Sequence, residues 1–369
     1  MASKSQGFVF SASTPRVVFG PGSLSNLPEE LRRLGVNLPV IVCSPTRASL
    51  ARTVNNILET ASIHTARILD RAVVHVPSEI TNTSVGHLKA DGVDCVVSVG
   101  GGSAIGLGKA ICFRAGLPHI CIPTTYSGSE MTAILGERKD GKKVAITDPK
   151  ILPSTVIYDV DLTMQLPKHL SAVSGLNAMA HSVEALYARD ANPVTSLIAL
   201  NSLKCLAESL PRVAADPFSR EARSSVLYGA FLAGMAVAST GIALQHKLAH
   251  TVAGCCNLPH AETHAILLPH TVAYNLPSLG SDVVESFGFA LVGRPGLSSQ
   301  DLVSAITSML QSLEVERALR DIGMVEDDID RTAHLALEKQ YWNPRPLVKE
   351  KIRELIRRAW AGETARVDL

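Results

Sequence analysis

The chain has 369 residues, of which 46% are apolar and 19% charged, and its formal net charge is +1. This length exceeds the usual size of a single core, so two domains are expected, and the apolar share supports a large interior. The near-neutral balance gives no electrostatic basis for binding nucleic acid or an anionic membrane.

In chain order, Val17–Gly20 reads as a short strand and Pro39–Ser44 as a strand too apolar on both faces for a sheet edge. Ala48–Ala61 reads as a helix, Val73–Val76 as a short strand and Thr83–Asp91 as a helix. Asp94–Val99 is a further buried strand, Ala104–Ala115 a helix and His119–Ile122 a strand. Continuous apolar strands separated by helices predict a parallel sheet covered on both faces.

From about Leu166 helical segments follow one another: Ala172–Ala188, Pro193–Leu210, Arg220–Ser239, Ile242–Cys255 and Ala261–Asn275. Gln300–Leu313, Val315–Ile322, Glu326–Leu337 and Pro346–Trp360 continue the pattern, punctuated by prolines at 167, 193, 211, 259, 277 and 344. Ser224–Gln245 carries no charge and is long enough to span a bilayer. Its Gly, Ala, Ser and Thr content points instead to buried helix, broken near Ser239–Gly241. Met1–Gly7 lacks the apolar core of a signal peptide. The seven cysteines contain no CxxC and read as reduced thiols of a cytoplasmic protein.

Gly100-Gly-Gly-Ser103 follows a buried strand and opens a helix. Glycines let the backbone approach a pyrophosphate, and the helix start favours an anion. Ser103 can cap the helix or donate to a phosphate oxygen. The plainer alternative is an ordinary turn, but the strand–turn–helix placement favours phosphate binding. Pro123-Thr-Thr-Tyr-Ser-Gly-Ser-Glu-Met-Thr132 follows the next strand and should emerge at the same carboxyl edge. Thr124, Thr125 and Ser127 suit ribose, phosphate or the nicotinamide amide. Their alternative is a hydroxyl-capped turn.

Five histidines, at 246, 250, 260, 264 and 270, crowd one segment, and His181 lies upstream. The i,i+4 pairs Asn177/His181 and His246/His250 each place two polar side chains on one helix face. A buried imidazole costs free energy unless it is hydrogen-bonded, ligated or used. A lone histidine would be read as a satisfied core residue. This cluster, beside a phosphate-binding signature, is read as a site.

Taken together these segments resemble the iron-containing, group III alcohol dehydrogenase family, from Pro15–Gly22 to Asn343–Arg345. The likeness rests on the GGGS loop, the Pro123-Thr-Thr loop ending in Ser129-Glu130, a helix similar to D-A-x-x-H, and His246-x-x-x-His250-x₉-His260. Within the family it is similar to the maleylacetate reductases, through the 123–132 loop, Ser174–Asp190, His246–His250 and Tyr341–Pro346. The resemblance implies an α/β N-terminal dinucleotide-binding domain with a parallel sheet, over 1–164. It further implies an all-helical C-terminal substrate and catalytic domain over 165–369, an intervening cleft and often a homodimer.

One departure matters. Metal-binding members of the family offer an Asp where this chain has Asn177, with histidines matching His181, His246 and His260. Neutral Asn is a weaker ligand for a dication than a carboxylate. Catalysis without an obligatory metal is therefore expected, with His181, His246, His250 and His260 as proton donors and hydrogen-bond partners and Asn177 assisting. The chemistry agrees. Hydride delivered to the carbon–carbon double bond of a conjugated keto-diacid gives an enolate, which needs hydrogen bonds and then a proton. Lys247 could meet the negative charge of such a substrate, and Arg345 reads rather as a structural ion pair. The strand ending Val42-Cys43-Ser44 has no acid for the ribose hydroxyls, and Arg47 would tolerate a 2′-phosphate. NADH is the expected cofactor, with NADPH accepted and Ser44 near it. The expected product is 3-oxoadipate, formed during aromatic-compound breakdown. The main rival is a metal-dependent alcohol or glycerol dehydrogenase of the same fold. A nucleotide sensor and a sugar-phosphate cyclase are weaker alternatives.

Overall fold

The computed structural model describes residues 7–139 and 142–369. Met1–Gln6, on which the signal-peptide reading mostly rests, lie outside them. The described residues form two compact units. One is Ser13–Leu166, and the other is Pro167–Leu369 with the residues just ahead of Ser13.

The first unit has eight strands: β1 (Arg16–Phe19), β2 (Pro39–Val42), β3 (Ile68–Leu69), β4 (Cys95–Gly100), β5 (His119–Pro123), β6 (Ile134–Lys139), β7 (Lys142–Thr147) and β8 (Thr155–Tyr158). Six of them make a sheet in the order β1-β8-β5-β4-β2-β3, while β6 and β7 form a separate hairpin. Every pairing in the larger sheet is parallel. β2, β4 and β5 are buried at every residue, as their apolar runs require. Helices α1 (Leu27–Arg33) and α2 (Ala48–Thr60) cover one face, where Leu31, Val54 and Leu58 join Ile41, Val97 and Ile120. Helices α3 (Ser78–Ala90) and α4 (Gly102–Ala115) supply Leu88, Leu107 and Ile111 to the core holding Val40, Val42 and Val96. Each such side chain contributes about 1.5–3 kcal/mol on full burial.

The chain runs outward from β2 to β3, then returns to place β4 on the other side of β2. That reversal is a topological switch point, where α/β sheets bind ligands beyond the carboxyl ends of their strands.

One strand expectation needs correction. Val73–Val76 is a turn, with His75 and Val76 at φ 67° and 47°, a left-handed backbone that cannot continue a strand. The edge strand is Ile68–Leu69 instead. The hairpin β6/β7 and the strand β8 had no clear signal, because short runs carry little periodicity.

The second unit contains α5 (Lys168–Tyr187), α6 (Pro193–Ala215), α7 (Arg220–Thr240), α8 (Leu244–Cys256), α9 (His260–Asn275), α10 (Ser281–Val292), α11 (Ser299–Ser312), α12 (Asp328–Glu338) and α13 (Lys349–Ala361). None of its described residues lies in a strand. Pro211 sits inside α6 rather than ending it, Val315–Ile322 yields only a 3₁₀ turn at Leu319–Ile322, and α10 was not anticipated. The uncharged stretch 224–245 runs along α7 into the first turn of α8, two largely buried helices bent by 103°. Gly241, at φ 80°, makes the break. Among the described residues no single helix is long and apolar enough to cross a membrane. α5 packs against α6, α7 and α9, so Ser171–Tyr187 is buried throughout. A Cβ on Gly229 would lie 2.9 Å from Leu206 Cγ, which is why α7 needs small residues against α6. Leu244, Leu248 and Val252 of α8 share a core with Ile266 and Leu267 of α9 and Ile352, Leu355 and Ile356 of α13.

Candidate active site

The Gly100–Ser103 turn and the Thr124–Ser127 loop lie at the carboxyl edge of the parallel sheet. β4 and β5 pair through Gly100 and Pro123, and Thr124 N–H donates to Gly100 O at 3.0 Å. The glycine turn and the Thr124–Ser127 loop are therefore one surface. Gly100 has φ 143°, a region other residues avoid. A Cβ on Gly101 would stand 3.0 Å from Thr125 Cγ2. α4 starts at Gly102, so its first amides have no intrahelical partner and its dipole favours an anion. Ser103 does not cap: the N-cap is Gly101 and no side-chain cap bond forms, which leaves the hydroxyl to a ligand.

Thr124 Oγ1 is buried without a hydrogen-bond partner. Ser127 Oγ donates to Glu130 Oε2 at 3.0 Å, and so offers a ligand mainly its lone pairs. Ser44, just past β2 on the other side of the switch point, contacts Thr46 Oγ1 at 3.0 Å. An unmet buried hydroxyl, a cradle that a Cβ would fill and a helix start at the switch point all fit a dinucleotide.

Lys109 was not anticipated here. Its buried ammonium donates to Ser129 O (2.6 Å), Thr132 O (2.7 Å), Thr132 Oγ1 (3.2 Å) and Ile134 O (3.0 Å). It ties α4 to the end of the second loop. Burial lowers its pKa to about 8. Glu130 accepts from Tyr158 Oη at 2.8 Å, and burial raises its carboxyl above the usual range.

In the helical unit, α5 presents Asn177, His181 and Glu184 at i, i+4 and i+7, on one face. The bend at Gly241 aims α8 so that His246 stacks on His181, with ring centroids 4.5 Å apart and planes 11° from parallel. His246 is 4.7 Å from His264 and 5.9 Å from His250, and His260 is 5.4 Å from His250 and 4.6 Å from His264. The cluster is thus His181, His246, His250, His260 and His264. His270 belongs elsewhere on α9, since it makes none of these ring contacts.

Burial, with neighbouring imidazoles second, holds His181 and His264 well below the ordinary histidine value. Both are neutral at pH 7. His181 Nδ1, His246 Nε2 and His264 Nε2 are buried without hydrogen-bond partners.

Glu184 is the residue that sequence reading missed. Fully buried, it accepts from His246 Nδ1 at 2.5 Å and from the His246 backbone N–H at 3.4 Å. This fixes the ring and leaves Nε2 as its available nitrogen. The signal was present: Glu184 continues the Asn177/His181 face by one turn. Gln245 Nε2 donates to His264 O at 3.0 Å and holds α9 against α8.

Lys247 is exposed, with its ammonium 5.9 Å from the Tyr341 ring centroid. Tyr341 Oη is buried and unpartnered. Arg345 is structural, but not through an ion pair with an acidic side chain. It lies 4.5 Å over the Tyr274 ring and donates to Tyr274 O at 2.7 Å and to the Leu369 backbone oxygen. Asn343 accepts from Leu244 N–H at 3.3 Å and exchanges bonds with Asn275, so the 341–346 segment pins the start of α8.

These two units match known patterns over almost their whole length. Residues 14–160 match the family described as iron-containing alcohol dehydrogenase, and residues 171–360 its C-terminal part. The chain belongs to the iron-containing alcohol dehydrogenase family. It is similar to a maleylacetate reductase of Rhizobium sp. (strain MTP-10005), at 43% identity over 97% of this chain and 99% of the relative. The crystal structure of maleylacetate reductase from Agrobacterium tumefaciens superposes with a TM-score of 0.90 at 42% identity, covering 97% and 99% of the two chains. An iron-containing alcohol dehydrogenase from Corynebacterium glutamicum gives 0.88 at 35% identity, covering 96% and 97%.

The metal in the family's name does not fit its expected ligands here. Asn177 offers a neutral oxygen, and Glu184 on the same face is taken by His246. Among the described residues, the group of His, Cys, Asp or Glu donors within 4.8 Å of one another is His250, His260 and His264. His181 and His246 are not in it.

Proposed function

We propose that this chain is an NAD(P)H-dependent maleylacetate reductase, acting on the carbon–carbon double bond to form 3-oxoadipate. The observation that carries this reading is whole-chain likeness to proteins of that name, at 43% identity. The site chemistry supports it. An alcohol dehydrogenase must polarise an isolated carbonyl or alkoxide, a task suited to a Lewis acid. An enone needs donors at its carbonyl oxygen and a proton at the neighbouring carbon, which imidazoles supply.

When bound, NADH would supply a hydride for the alkene carbon remote from the ketone. Gly100, Gly101, Gly102 and Ser103 hold the pyrophosphate. Thr124 and Thr125 orient ribose or nicotinamide, with Ser127 as an acceptor and Ser44 at the adjoining strand end. His181, His246, His250 and His260 surround the enolate oxygen, His181 as a neutral hydrogen-bond donor, and the proton returned to carbon comes from His246, His250 or His260. Asn177 donates its amide, and Lys247 meets a substrate carboxylate. NADH is preferred and NADPH accepted, since Arg47 follows Ser44 where an acid would select against a 2′-phosphate. The enzyme works as a cytoplasmic homodimer and uses no obligatory metal.

The test is NADH oxidation with maleylacetate, on chelator-treated and untreated protein. Equal rates support the full reading. Activity only in the untreated sample keeps the reductase and restores the metal. Alcohol-dependent NAD reduction without maleylacetate turnover overturns the assignment.

A further inference from the structure

His260 and His264 stand at i,i+4 in the first turns of α9 and so share a face. α8 ends at Cys256 with Asn257 in the left-handed region, and the chain turns back through Leu258 and Pro259. That return sets His250 against both, at ring-centroid distances of 5.4 Å and 5.8 Å. One nitrogen from each ring lies within 4.8 Å of the others. Tetrahedral zinc, with Zn–N of about 2.0–2.1 Å, needs nitrogens roughly 3.4 Å apart. Small ring rotations close that difference.

We propose that His250, His260 and His264 form a binding site for a divalent transition-metal cation such as zinc, sharing His260 alone with the ligand set expected of the family. Three imidazoles with an open fourth position are a known zinc arrangement. His264 is fully buried, and its Nε2 meets no hydrogen-bond partner. Such a nitrogen is costly unless something occupies it. The Gln245 Nε2 contact to His264 Nδ1 is long, at 3.4 Å, and a metal-bound tautomer gives it up cheaply. Glu262, between the two α9 histidines, is turned toward His169 at 3.4 Å and adds no charge to the site. Occupancy takes lone pairs of His250 and His260, so the cation acts as an inhibitor of the reductase rather than as its cofactor.

The experiment is cobalt(II) titration of chelator-stripped full-length protein without substrate, read by visible absorption and calorimetry. Wild type should take up one cobalt with a four-coordinate spectrum. His181→Gln should keep that spectrum. His264→Gln should weaken binding by more than about 100-fold, since even outer-shell partners cost about 10–100-fold. His264→Cys should bind cobalt with a new thiolate-to-metal band in the near ultraviolet. That variant decides the matter if His264→Gln fails to melt cooperatively. No cobalt spectrum in wild type, loss in His181→Gln, retention in His264→Gln or a missing thiolate band overturns the site. Because no substrate is present, that failure is distinct from a failure of the reductase reading.

Discussion

Replacing Glu184 by Gln isolates the contact that orients His246. Both carboxylate oxygens are engaged, at 2.5 Å from Nδ1 and 3.4 Å from the backbone N–H, with no solvent access. The amide keeps the shape of the side chain but removes its charge, and its NH₂ group competes for the position facing Nδ1. A hydrogen bond to a charged group contributes about 1.5–3 kcal/mol. If that stabilisation is realised as His246 Nε2 holds the developing enolate, its loss lowers kcat by about 10–150-fold. The hydrogen bonds of the Glu184 carboxylate go to His246, so KM for NADH should stay at the wild-type value. Glu184→Ala should also lose about 1–3 kcal/mol of stability, because a buried Nδ1–H is left without an acceptor. The assay is NADH oxidation with saturating maleylacetate, alongside urea unfolding. Wild-type kcat in folded Glu184→Gln would refute the reasoning.

Three further predictions concern the scaffold. Gly101→Ala places a methyl 3.0 Å from Thr125 Cγ2 and forces the two loops apart. KM for NADH should rise about 10-fold, the equivalent of about 1.4 kcal/mol and within the usual cost of overpacking. An unchanged KM would separate these loops from the cofactor. Lys109→Met leaves the carbonyls of Ser129, Thr132 and Ile134 without their donor, and the urea midpoint should drop by the equivalent of about 3 kcal/mol or more. A midpoint within error of wild type would mean those carbonyls find other donors. Burial lowers His119 to about 3 and His270 to about 4, from 6.5. The unfolded chain therefore binds these protons first as pH falls below 6.5, and the folded chain resists until about 4. Stability should fall by about 1.4 kcal/mol per pH unit per histidine across that window. A urea midpoint that holds constant or rises between pH 6.5 and 5 contradicts this reading.

The parallel sheet was legible because β2, β4 and β5 are apolar on both faces, and only burial on both sides explains that composition. Gly100–Ser103 announced a tight turn opening a helix, since glycine beside a helix start answers a backbone demand visible locally. The break at Gly241 and the Asn177/His181 and His246/His250 faces were equally readable from spacing alone. Other features were decided only in three dimensions. Val73–Val76 looked like a strand until its left-handed turn appeared. His264 and His270 are equivalent in sequence, yet only His264 enters the imidazole cluster, because helix packing selects which face of α9 meets α8. Lys109 resembles an ordinary helix lysine until the loop beyond β5 folds its carbonyls around the ammonium. Glu184 shows its purpose only once α8 brings His246 against α5. Periodicity encodes which residues share a face of one element. Which faces meet depends on packing between elements distant in sequence, and that is where the partners of each buried polar group are settled.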